Sequence, residues 1–184
     1  MALSTRFQLR GRTGAPRVVP RQDAGHRLRE LLALADAQDA QAGRDAWLAQ
    51  AVEQLVPDEA RILDLLGRRP DEGPGASLMH IHCLTGTGIA GGPLLENASL
   101  VGRAAGVSLP ELTPWYVSRL LLLDLLEVGP EDPRLLEDYQ TLLADGTVLA
   151  ALGRARLDGL TPRVLRHSLR LSPLGRSLWE TTKG

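Results

Sequence analysis

The sequence predicts a mainly α, α+β protein: an N-terminal helical hairpin followed by an α+β domain with a small antiparallel sheet. Three observations lead there. Aromatic residues make up only 3% of the 184 residues, so the core has to be built from Leu, Ala and Val, a usage that favours helix over strand. Apolar residues recur at helical spacing along most of the chain, and only two segments alternate as strands do. The stretch 96–128, ENASLVGRAAGVSLPELTPWYVSRLLLLDLLEV, reads as helix, tight turn, helix.

That stretch organises the rest. Leu100, Val101, Ala104 and Ala105 share one side of its first helix, and Gly106 is placed to end it as a left-handed cap. Thr113 before Pro114 offers an N-cap followed by proline at the first helical position. The second helix then carries Leu120 to Leu123, Leu125 and Leu126. Four consecutive leucines go round the whole circumference of a turn, which predicts a central helix buried on more than one side.

The chain is long enough for one good core, as a single domain or a domain with an appendage. Its net charge of −1 hides an asymmetry. Residues 1–22 hold Arg6, Arg10, Arg12, Arg17 and Arg21 with no acid, a charge of +5 that leaves −6 for the remainder. A second basic region, 154–176, has six arginines against Asp158 alone. Arginine supplies 20 of the 21 cations, a bias that fits a GC-rich bacterial genome. Cys83 is the single cysteine, which excludes an internal disulfide and a cysteine-based zinc finger and fits a reducing, cytoplasmic setting. No run of roughly 18 apolar residues and no signal-peptide h-region is present, so no membrane association is expected.

Residues 1–23 read as a basic flexible arm, because Gly11, Gly14, Pro16 and Pro20 break any helix. Such an arm either reaches a phosphate backbone, with its five arginines as candidate contacts, or is a solvated tail. Residues 24–55 read as a helical hairpin: Leu28, Leu31, Leu32 and Ala35 mark one helix to about Ala42, and Trp47, Ala51, Val52 and Leu55 a second from about Arg44. A pair that buries so little by itself has to pack on the rest of the chain or on a second copy, as a homodimer.

Residues 56–184 read as a winged-helix-like α+β domain. Pro57-Asp58-Glu59 opens a helix with proline and two acids in its first turn, and Ile62, Leu63, Leu65 and Leu66 are its stripe. LMHIHCL, 78–84, is the first strand, with His80 and His82 on one face and Met79, Ile81 and Cys83 on the other. Two short helices follow over 133–145 and 146–156, with Leu135, Leu136, Tyr139, Leu142, Leu143, Val148, Leu149 and Leu152 inward. RVLRHSLRL, 163–171, is the second strand. It places Arg166, Ser168 and Arg170 on one face and is expected to pair antiparallel with the first. Ser172-Pro173 caps a last helix.

Few motifs carry chemistry. Gly86-Thr87-Gly88-Ile89-Ala90-Gly91 matches a dinucleotide loop after a strand, but no second parallel strand follows, so it reads as a glycine-rich connection or hairpin tip. His80-x-His82 needs a third ligand from His26, His167 or a carboxylate, and two ligands alone rarely hold zinc. Ser77, Ser99, Ser118, Ser168 and Ser172 include no nucleophile elbow, and no catalytic, cofactor or metal residues are assigned. Asn97-Ala98-Ser99 fits a glycosylation sequon that means nothing without secretion. A helix-turn-helix followed by a strand-bearing segment is the outline of a winged helix, whose second helix enters the major groove. Here that helix offers Arg119, and Arg163, Arg166 and Arg170 on the second strand are the candidate phosphate contacts.

At PDEARILDLL, ENASLVGRAAGV, YVSRLLLLDLLEVGPED, DYQTLL and RLSPLGRSLW the chain resembles the abortive infection alpha family of bacterial proteins, over roughly residues 52–182. The resemblance implies a shared fold and, through the family's name, a role in phage defence; it carries over no catalytic residues. SPLGRSLW also resembles the closing strand-to-helix junction of winged-helix regulators such as the multiple-antibiotic-resistance repressors. The expected function is therefore a non-enzymatic interaction or adaptor protein without cofactor or small-molecule substrate, the alternative a winged-helix DNA-binding transcriptional regulator. A nucleotide-binding enzyme is a more distant third.

Overall fold

The computed structural model describes residues 21–70, 72–84 and 90–183. The chain divides into two compact units, Met1–Ala46 and Trp47–Gly184. Helix α1 spans Arg21–Ala37 and α2 spans Ala40–Glu53, crossing that division. The break falls at Gln38-Asp39 rather than near Ala42, because the Asp39 carboxylate accepts the backbone N–H groups of Gln41 (2.9 Å) and Ala42 (2.8 Å) and so caps α2. Of the residues read as its inward stripe, Ala51 is buried, while Trp47 and Val52 stay exposed.

The second unit continues with α3 (Pro57–Gly67), β1 (Ala76–Leu84), β2 (Ala90–Ser99), α4 (Val101–Ala105), α5 (Thr113–Leu122) and β3 (Leu126–Gly129). It closes with α6 (Leu136–Leu143), α7 (Gly146–Leu157), β4 (Thr161–Leu171) and α8 (Pro173–Glu180). The result is mostly helical, with one four-stranded antiparallel sheet in the order β2-β1-β4-β3. The expected pairing of the two alternating strands is present: β1 and β4 run antiparallel in unbroken register from Ala76↔Leu169 to Leu84↔Thr161. The edge strands β2 and β3 were not foreseen. The glycine-rich stretch ends in β2, a strand, where a dinucleotide fold would start a helix; residues 86–89 of that motif lie outside the described ones.

Alternation along the strands feeds two cores, one on each face of the sheet. Ala76, Leu78, Leu126, Leu169 and Leu171 pack with Ile62, Leu63 and Leu66 of α3 and Val117 and Leu120 of α5. Met79, Ile81 and Val164 pack with Tyr139 and Leu142 of α6 and Val148 and Ala151 of α7. Tyr139 ties the second core to the sheet by donating to the His167 carbonyl (2.9 Å) and accepting from the Asp132 N–H (3.2 Å). Leu136 and Leu149, expected inward, are exposed instead.

The leucine run departs most from expectation. Helix α5 ends at Leu122, and Leu126 already belongs to β3. Between them Asp124 adopts a left-handed φ of 55°, which turns the chain. Leu120, Leu125 and Leu126 are buried, Leu121 and Leu123 half-buried, but Leu122 is 85% exposed. Helix α5 is thus covered on one side rather than all round. The turn is clasped by α8: the Ser172 N–H donates to the Leu125 carbonyl (3.2 Å), the Ser172 hydroxyl to the Asp124 carbonyl, and that hydroxyl caps α8 by accepting the Gly175 N–H (2.9 Å). A Cβ at Gly175 would come 2.0 Å from the Leu125 carbonyl oxygen, so only glycine allows this approach. Gly106 caps α4 with φ 64°, as read from the sequence. Thr113 does not cap α5; its hydroxyl donates to the Pro110 carbonyl (2.7 Å), which closes the one-turn helix Pro110–Leu112.

Candidate interaction surface

Two acids at the start of α3 hold the surface above them. Asp58 is buried and accepts the backbone N–H groups of Ser108 (3.0 Å) and Leu109 (3.4 Å) and the Tyr116 hydroxyl (3.2 Å). The Ser108 N–H in particular holds the Asp58 carboxyl below the usual carboxylate range, and burial, with Asp58 beside it, pushes the Tyr116 phenol up. Glu59 is fully buried. It accepts the Val56 N–H (3.0 Å), closing the first turn of α3, and pairs with Arg119 at 3.0 Å. Arg119 also donates to the Gln54 carbonyl (2.5 Å) and stacks on the Trp115 ring, 4.9 Å from its centroid.

This framework presents an apolar surface. Trp115, 52% exposed, and exposed Leu112 line a cleft of about 320 Å³ with Val56, Pro57 and Tyr116, and Leu109 is exposed nearby in sequence. A tryptophan held by its own buried support is the kind of side chain that dominates protein interfaces. In the first unit, Leu28, Leu31, Leu32 and Leu34 of α1 are all exposed, and no described side chain of that helix is buried.

Among the described residues the candidate nucleic-acid contacts are spread over α5 and both faces of β4. Arg6, Arg10, Arg12 and Arg17 lie outside the described residues, as does the Arg21 side chain, whose backbone opens α1. Arg119 is held by Glu59. Arg166 pairs with Glu131 (3.2 Å), and Arg170 lies 3.6 Å from Asp132. Arg163 is exposed and sits opposite His82 in the register, on the sheet face opposite to Arg166 and Arg170.

The sheet brings His167 beside His80, with ring centroids 5.2 Å apart, while His82 lies 6.4 Å from His80. Partial burial, then His167, lowers the His80 pKa. His26 is on α1, 3.3 Å from Glu30. Among the described residues no group of three His, Cys, Asp or Glu side chains is placed to hold a metal ion. Ser99, Ser118 and Ser172 donate their hydroxyls to backbone carbonyls, and Ser77 and Ser168 are buried.

Sequence reasoning found none of the buried pairs. The Asp58-Glu59 dipeptide reads as ordinary helix-dipole complement, and nothing local marks it as interior. Asp132 is a similar case. It accepts the backbone N–H (3.0 Å) and the Nε (3.0 Å) and Nη2 (2.8 Å) groups of Arg134, which bring its pKa down to about 2. The unfolded value is about 3.9. Because the folded value is depressed, the stabilisation is complete above the unfolded pKa and is lost as pH falls through the folded one. Asp132→Asn is therefore expected to flatten the fall of melting temperature between about pH 4 and pH 2. An unchanged slope in a pH series of thermal melts would reject this assignment.

Among the described residues no helix is long and apolar enough to cross a membrane. No curated protein matches the chain. A solved structure, that of an uncharacterized protein from the hydrocarbon-degrading marine bacterium Alcanivorax borkumensis SK2, is similar with a TM-score of 0.59 and 24% identity, covering 80% of this chain and 99% of that one. At that identity the likeness speaks for the fold alone. The family model described as abortive infection alpha matches residues 22–182, nearly the whole of the described structure, and the chain accordingly belongs to the abortive infection alpha family.

Proposed function

We propose that the protein is a non-enzymatic interaction protein of bacterial phage defence that acts through exposed apolar helix surface and associates with a second copy of itself through α1. One observation carries this reading. Helix α1 is 17 residues long and leaves Leu28, Leu31, Leu32 and Leu34 uncovered. Most of a helix's stability in a protein comes from packing of its apolar side, and that side of α1 is open. The spacing Leu28, Leu31, Leu32, Ala35 gives a stripe that matches itself across a two-fold axis. The apolar surface around Trp115 then remains for a different partner.

Light scattering across a concentration series tests this. The native chain is expected at twice its 19.9 kDa mass, and Leu28→Asp with Leu32→Asp at the monomer mass. A native monomer at the highest concentration rejects self-association. The regulator reading is weakened by α5, whose Arg119 is held by Glu59 and whose Ser118 accepts from the Asn97 side chain (2.7 Å). Labelled duplex DNA separates the two: binding at low salt that falls steeply as salt rises would favour the regulator.

A further inference from the structure

Where β1 starts, β4 ends and α8 begins, a cavity of about 240 Å³ opens in the second unit. Three arginines from three parts of the chain line it: Arg69 just beyond α3, Arg170 of β4 and Arg176 of α8. Glu127 of β3 is the single acid in the lining among the described residues. It faces Arg170 across the β3–β4 register, on the same side of the sheet. The remaining wall is largely apolar, from Leu66, Leu169, Pro70, Pro74 and Pro173.

The arginines are fixed in place by the fold. Arg69 donates to the carbonyls of Gly75 and Pro74, the latter at 3.4 Å. Arg176 donates to the Gly67 carbonyl (2.8 Å). Arg170 reaches Asp132 with one terminal nitrogen at 3.6 Å, while its Nε–H is buried with no acceptor among the described residues. A buried guanidinium N–H without an acceptor is costly, and a guanidinium has five donors suited to the oxygens of a phosphate. Asp132 is held mainly by Arg134, from three nitrogens, with Arg170 the lesser influence.

We infer that this cavity is a binding site for a small phosphorylated molecule, its phosphoryl group held by Arg170 and Arg69 and its organic part lying on the leucine and proline wall. Positive charge set against a mostly apolar wall is the complement of a phosphate monoester. The site shares no residue with the helix surfaces proposed above for association, so either reading can fail without the other.

The test is calorimetric titration of the full chain with inorganic phosphate, AMP and adenosine, at matched ionic strength in sodium chloride. AMP binding tighter than phosphate, with adenosine silent, assigns the organic wall as well. Equal binding of AMP and phosphate leaves free phosphate as the ligand. Arg170→Gln is expected to weaken phosphoryl binding about 10- to 100-fold, the range for hydrogen bonds to a charged group. Glu127→Gln, at an exposed position on β3, is expected to tighten it about three- to tenfold by removing a like charge. No heat from either phosphate or AMP overturns the site. So does a folded Arg170→Gln that binds like the native chain, or a Glu127→Gln that binds no tighter.

Discussion

Arg119→Ala is expected to lower the stability of the protein by about 3–5 kcal/mol, the cost of leaving one member of a buried ion pair alone. Glu59 has no exposure to water, and its carboxylate depends on Arg119 and the Val56 N–H. Without the guanidinium, the carboxylate either stays charged in an apolar setting or takes up a proton, and both cost folding free energy. Arg119→Lys should restore only part of the loss, because an ammonium cannot reach Glu59 and the Gln54 carbonyl with the same planar fork. Adding Glu59→Gln to Arg119→Ala should recover stability relative to Arg119→Ala alone, since the stranded charge is then gone. Urea midpoints measure all three variants. A loss under about 1 kcal/mol, the value of an ordinary surface pair, would show that Glu59 is not isolated from water as described. Trp115 gives an independent reading, because its fluorescence should change when the cation above its ring is removed.

Leu120→Ala and Leu122→Ala should behave as opposites although the residues are two positions apart in one run. Leu120 is fully buried against α3 and the sheet, and its truncation is expected to cost about 2–5 kcal/mol through lost burial and the cavity left behind. Leu122 is 85% exposed, so its truncation should stay within about 0.5 kcal/mol. Chemical denaturation of the pair decides between a helix gripped all round, for which both variants would be crippled, and one covered on a single side.

That contrast shows where sequence reasoning stopped. Periodicity identifies a helix face well when apolar and polar residues alternate, as in α3, whose stripe Ile62, Leu63 and Leu66 is the one that packs. In a run of leucines the pattern carries no phase. The end of α5 depends instead on Asp124 entering the left-handed region, which aspartate does at modest cost and without a local signal. The pairing of β1 with β4 was legible because both alternate cleanly. Strand β2 was not, because AGGPLLENAS carries two glycines and a proline and does not alternate. It is a strand because it lies at the edge of the sheet, where proline is tolerated and β1 supplies the partner. The candidate interaction surface, a proposal, is half legible in the sequence. The exposed leucines of α1 stand out in the sequence, whereas Trp115 gains its meaning from Glu59, 56 residues earlier, through the arginine between them.

The place of β4 between β1 and β3 has a consequence for how the protein is made. Its partners on β1 precede it by 77 residues at Leu84↔Thr161 and by 93 at Ala76↔Leu169. At about 5–20 residues per second of translation, a nascent chain on the ribosome shows a bare, hydrogen-bond-hungry strand flank for about 4–19 s before its complement emerges. Neighbouring nascent chains on one polysome offer each other the same flank. Slower initiation or a chaperone that shields this segment should therefore raise the soluble yield, whereas stiffening the finished fold should not.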